Sequence, residues 1–218
     1  MIDRRLLKPL LLVTIVLVLP LAILAFHGET FAAALARWQA DPPPRSTLAL
    51  AIVAILASDV LLPIPSGPVS TLAGSQLGFP LGTAASALGM TLGAAIAFAL
   101  ARRWGRPLAE RFASPQALAD ADLACQDHGP WMLAFTRPLP ILAEAAALLL
   151  GALQMSWRTF LPPAIASNIV IAAAYAILGA QAAERGWLPV ALAVSMAAPL
   201  ALAALIRQRL RRRSLPDE

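Results

Sequence analysis

The chain has 218 residues, of which 59% are hydrophobic and 13% charged, with a mean hydropathy of +0.73, so it has too little polar surface to cover a water-soluble globule. It is expected to be an all-α integral membrane protein. The net charge of +5 comes almost wholly from arginines in short clusters rather than in stripes interleaved with aromatics, which argues against nucleic acid as a partner and suits membrane orientation. A single cysteine, Cys125, excludes an intrachain disulfide, and two distant histidines, His27 and His128, leave a metal site without support; no cofactor is expected.

Pro9 to Phe26 is an uncharged run of spanning length preceded by Arg4, Arg5 and Lys8, which predicts a retained transmembrane helix with a cytoplasmic N-terminus. Between it and Pro42-Pro43-Pro44, the spacing of Phe31, Leu35 and Trp38 fits a short interfacial helix or a plain loop, so residues 1–46 form an N-terminal unit.

From Thr47 the chain is apolar to Phe79, yet Pro63-Ile64-Pro65-Ser66-Gly67-Pro68 stands at its middle. No straight helix passes through those prolines, each of which removes a backbone donor and clashes with the preceding turn. A re-entrant hairpin over 47–79 accommodates them, with its tip shielded by protein. The span 80–101 then ends at Arg102, Arg103 and Arg106, which belong in the cytoplasm only if 47–79 turns back.

Residues 102–130 are the most polar stretch and predict a cytoplasmic, partly helical connector. A second apolar segment, 131–157, is broken at Arg137-Pro138-Leu139-Pro140 and predicts a second hairpin, opposed to the first. The span 160–183 closes a core over 47–185, and 186–218 supply a last span and a polybasic cytoplasmic tail at Arg207, Arg209, Arg211, Arg212 and Arg213. The fold expected is thus a helical bundle with two opposed re-entrant hairpins in an inverted repeat, both termini cytoplasmic. The tail is suited to anionic lipid head groups.

Ionisable groups at membrane depth cost several kcal/mol unless paired or hydrated, which singles out Asp59, Arg137 and Glu144. If the hairpin tips meet, these three line a cavity with Ser66; Asn168, on the last core span, either faces that cavity or hydrogen-bonds between helices. Arg137 suits a phosphate, and Asp59 or Glu144 suits proton exchange; a structural ion pair sealing the hairpins is the alternative. Pro63, Pro65, Pro68, Pro138 and Pro140 make the breaks. Gly74, Gly78 and Gly82, with Gly89 and Gly93, recur every fourth residue, a spacing that lets helices approach closely.

The run Asp59-Val60-Leu61-Leu62-Pro63-Ile64-Pro65-Ser66, the following Leu72-Ala73-Gly74, Gly78-Phe79 and Gly82, and Phe135-Thr136-Arg137-Pro138-Leu139-Pro140 with Gly151 together resemble the DedA family, also called VTT or SNARE-associated membrane proteins. The resemblance covers roughly residues 45–185. It implies two opposed re-entrant hairpins, a bacterial-type inner membrane location, and movement of phospholipid or a polyprenyl phosphate with dependence on the proton gradient. Of the family pattern Phe-x-Arg-aromatic-x-Pro-x-x-Arg, Phe135, Arg137 and Pro140 match, whereas Pro138 replaces the aromatic and Ala143 the second arginine.

The function expected is therefore a lipid flippase or scramblase. A proton-coupled small-solute or ion transporter would use the same architecture, and a non-transporting assembly factor is the other alternative. An enzyme is not expected: no nucleophile elbow or zinc-protease motif occurs, and Lys8 is the only lysine.

Overall fold

The structure, a computed structural model, describes residues 43–60, 64–112, 115–136 and 140–213. The expected first span, the interfacial segment up to residue 42, Pro63, Arg137, Pro138 and the tail beyond 213 lie outside the described residues. Among those described, all secondary structure is helical: α1 (Arg45–Ala57), a short 3-10 turn (Ser58–Val60), α2 (Ser66–Leu77), α3 (Phe79–Phe112), α4 (Pro115–Thr136), α5 (Pro140–Ala152), α6 (Trp157–Glu184) and α7 (Leu188–Arg213).

Both proline clusters interrupt the chain, and the prolines on the far side of each break start the next helix. Pro65 is the residue before α2, Pro68 falls in its first turn and Pro140 opens α5. The first-turn N–H groups of a helix have no partner within it, so a proline there forfeits nothing. Helices α1, α2 and α5 have 13, 12 and 13 residues and are each about 20 Å long at 1.5 Å per residue, short of a ~30 Å hydrocarbon core. Among the described residues, two helices are long and apolar enough to cross it: Phe79–Pro107 of α3 and all of α6.

Two boundaries differ from those expected. The helix of the first span does not stop near Ala101 but runs to Phe112, and the second broken segment begins within a helix that starts at Pro115. The arginines and acids mark where the apolar run ends, and charge alone does not end a helix. Arg106 grips both carboxylate oxygens of Asp122 at 2.8 Å and reaches Glu110 at 3.1 Å, so the polar end of α3 is tied to α4. Nearby, Gln154 Nε2 donates to the Arg102 carbonyl at 2.7 Å and Arg102 to that of Met155, fixing the α5–α6 turn against α3.

Contacts along α3 give the direction of its neighbours. Val53 lies at Gly89 and Ala57 at Gly93, so α1 runs with α3; Ala73 and Gly74 lie at Gly82, so α2 runs against it. Phe98 stacks on Phe160 at 4.0 Å and Thr91 meets Asn168, so α6 is antiparallel to α3. Gly151 of α5 sits on Phe98 and Ala101, while Gly74 of α2 sits on Ala176 of α6. The second short helix of each broken segment thus packs on the long helix of the other half.

Small and polar residues fill much of the interior beside a few large apolar ones such as Phe98, Phe160, Leu133 and Leu150, while many large apolar residues face outward. Ser70, Thr71, Ser86, Asn168 and Ser195 are fully buried, whereas Leu50 and Val170 are 70% and 67% exposed. Lipid tails are as apolar as leucine, so burying leucine gains little in a bilayer and close packing decides instead. A Cβ on Gly74 would run into the Ala176 backbone, one on Gly82 would come within 2.8 Å of Gly74 N, and those on Gly89 and Gly93 would press on Leu56 and Val53. Gly78 differs from the expected role: it makes no such contact, but has φ +80 and donates to the Gly74 carbonyl at 3.0 Å, ending α2 so that α3 can turn back.

Ser156 caps α6, accepting from Thr159 N at 3.2 Å. Ser156→Ala should lower thermal stability by about 1 kcal/mol, and Ser156→Asp should restore it; unfolding in detergent measures both.

Candidate functional site

Residues flanking both breaks, Asp59 and Ser66 on one side and Ala143 and Glu144 on the other, reach the same level of α3. There a cavity of about 40 Å³ is lined by Asp59 of the 3-10 turn, Ser66 at the start of α2, Met90, Gly93, Ala94 and Ala97 of α3, Ala143, Glu144 and Ala147 of α5, and Asn168 and Ile171 of α6. Gly93 is midway along the 29-residue apolar part of α3, so the cavity lies at mid-depth of the bundle.

Four of the residues singled out from sequence, Asp59, Glu144, Ser66 and Asn168, therefore meet, although they come from separate elements and span more than 100 positions. Arg137, the fifth, lies outside the described residues. Ala143, where the family pattern has its second arginine, is buried in the cavity wall.

Each polar group is held differently. Asp59 Oδ1 accepts from Ile64 N at 2.8 Å, bridging the proline break, so this carboxylate also shapes the loop. Asn168 is completely buried; its Nδ2 donates to Thr91 Oγ1 at 3.0 Å, and its Oδ1 has no hydrogen-bond partner among the described residues. Ser66 and Glu144 are half-buried, Ser66 in the first turn of α2 and Glu144 one turn into α5.

Ser66 opens α2 at the cavity, so the positive N-terminal end of α2 borders it, whereas α5 lines it one turn and more from its start, through Ala143, Glu144 and Ala147. Pro65 supplies no side-chain cap, which leaves first-turn N–H groups of α2 available. Carboxylates, one helix N-terminus and a buried amide together make a site of mixed sign, able to hold an anion or exchange a proton.

Sequence reasoning did not find the closure on one side of this cavity. Toward the Arg102 end, Phe98 stacks on Phe160, Trp157 meets Phe98 edge-on at 4.6 Å, and Leu133, Leu150 and Met155 pack around them. Aromatic residues in an apolar run give no signal that they will meet across helices 60 residues apart. Likewise nothing local ties Thr91 to Asn168.

Among known families, the model of the VTT domain matches residues 64–181, more than half of the chain and including both α2 and α6. No curated protein and no solved structure matches it.

Proposed function

The chain belongs to the DedA family of VTT-domain membrane proteins, and we propose that it carries a membrane lipid between leaflets, holding the phosphate of a phospholipid or polyprenyl phosphate at the mid-depth cavity. The family is linked to membrane transport and lipid-related function in general; the observation that carries the finer reading is the convergence of Asp59, Glu144, Ser66 and Asn168 with the N-terminus of α2. In this reading the broken segments are re-entrant hairpins from opposite faces, related as an inverted repeat. It is supported by the reciprocal packing of α2 on α6 and α5 on α3, with Gly74 and Gly151 at corresponding contacts.

The arginines at 102, 103, 106 and 158 stand at one end of the long helices, and those at 207–213 on the last two turns of α7. The positive-inside rule makes this end cytoplasmic in an inner membrane and gives the tail contact with anionic head groups. The cavity's carboxylates exchange charge with the cargo: protonation of one as the anion enters keeps the site near neutral, which couples transfer to the proton gradient. In this reading the chain acts as a carrier rather than an enzyme.

A second reading, proton-coupled transport of a small solute or ion, is favoured by the cavity's size, which suits a few waters rather than a head group. Purified protein in liposomes separates the two. Labelled phospholipid and polyprenyl phosphate should each be tested for leaflet exchange. Transfer of either above empty vesicles, returned to background by Arg137→Ala, is expected; no transfer of both overturns the lipid reading.

A further inference from the structure

A helical serine usually satisfies its hydroxyl on the carbonyl one turn back, as Ser167 and Ser195 do here. Ser70 and Ser86 do not: both are completely buried, and neither Oγ has a hydrogen-bond partner among the described residues. Leaving such a group dry costs about 1–3 kcal/mol, so two of them need a physical account.

Their register supplies it. Ser66 and Met90 share the cavity, and Gly82 packs on Ala73 and Gly74. Between these two contacts, one turn along each helix, stand Ser70 on α2 and Ser86 on α3. The two hydroxyls therefore fall on the same seam, one turn from the cavity toward the Phe79 end. In the other direction the cavity ends at the Phe98–Phe160 stack with Leu133 and Leu150, which offers no polar group. The unpartnered Oδ1 of Asn168 belongs to the same polar set at the cavity itself.

We propose that Ser70 and Ser86 line a hydrated passage from the cavity toward the Phe79 end, closed beyond them by the contact of Gly82 with Ala73 and Gly74 and opened when α2 parts from α3. Water, or the polar head of the cargo, takes the hydrogen bonds these hydroxyls lack. The Arg102 end stays shut by its aromatic plug in the same state. This deepens the transport reading and rests on it for what travels along the passage.

Cysteine labelling tests the passage without requiring transport. Cys125 is buried, and burial pushes its thiol up, so it reacts slowly; replacing it with Ala removes it altogether. In that background, Ser70→Cys and Ser86→Cys should react with a membrane-impermeant methanethiosulfonate from the face at the Phe79 end only. Leu133→Cys, in the plug, should react roughly ten-fold more slowly from either face. Ser70→Leu should slow labelling of Ser66→Cys by about ten-fold, while Ser70→Ala should not. Labelling of Ser70→Cys and Ser86→Cys no faster than Leu133→Cys, or only from the Arg102 face, overturns the passage. Leaflet exchange measured on the same vesicles keeps the two ideas apart: labelling without exchange removes the transport reading and leaves the passage, and exchange without labelling does the reverse.

Discussion

Glu144→Gln and Asp59→Asn are each expected to lower lipid transfer in liposomes by roughly 10²-fold and to abolish its response to a pH gradient. Each carboxylate lines the cavity that the anion and the proton share, so losing its charge removes one side of that exchange; a 10²-fold loss corresponds to about 2.8 kcal/mol, since each 1.4 kcal/mol is tenfold. The conservative forms matter. Asp59 Oδ1 accepts the Ile64 N–H across the proline break, and an asparagine oxygen can keep that bond while losing the charge. Asp59→Asn should therefore fold like the wild type, whereas Asp59→Ala should also lose about 1.5–3 kcal/mol of stability, the worth of a hydrogen bond to a charged group. Thermal unfolding and transfer rates on the same samples separate the two roles. Glu144→Gln with wild-type transfer and unchanged gradient dependence would remove the carboxylate from the mechanism.

Gly179→Leu should leave little folded protein. A Cβ at Gly179 runs into the Thr71 carbonyl and lies 3.0 Å from Ser75 N, so the obstacle is backbone on a packed helix rather than a side chain able to rotate away. Even one inserted methylene in a well-packed interior costs about 1–3 kcal/mol, and four carbon atoms exceed what a margin of about 5–15 kcal/mol tolerates comfortably. The loss should appear as aggregation on gel filtration in mild detergent. Ile177→Leu, at a lipid-facing position 45% exposed, serves as the control and should elute as a single peak. A monodisperse Gly179→Leu protein with wild-type thermal stability would show that α2 and α6 are not held by this contact.

The helix breaks were legible because proline acts locally. Pro65, Pro68 and Pro140 stand at or within the first turns of α2 and α5, where a missing N–H forfeits nothing; the lone prolines Pro107, Pro130 and Pro199 lie inside α3, α4 and α7, so clusters of prolines, not a lone one, marked the breaks. Membrane residence was legible from composition, and the buried acids from the cost of placing charge at depth. The outer ends of the helices were less so. Arg102, Arg103 and Arg106 end the apolar run, yet α3 continues to Phe112, because a helix needs only backbone partners and its polar end is satisfied by Asp122 and Glu110. Gly78 shows a similar limit: its spacing matched the packing glycines, but its φ of +80 makes it a helix terminator.

By itself, then, the sequence determined that the chain belongs in a membrane, where α2 and α5 begin, and that charges such as Asp59 and Glu144 would be costly at membrane depth. These follow from local backbone chemistry and desolvation. Only the tertiary structure decided that Asn168 faces Thr91, that Phe98 and Phe160 stack, and that the hydroxyls of Ser70 and Ser86 are buried without a hydrogen-bond partner among the described residues. Those meetings depend on which small residues allow two backbones to touch across a long stretch of chain. Helical periodicity leaves that choice open, and three-dimensional packing makes it.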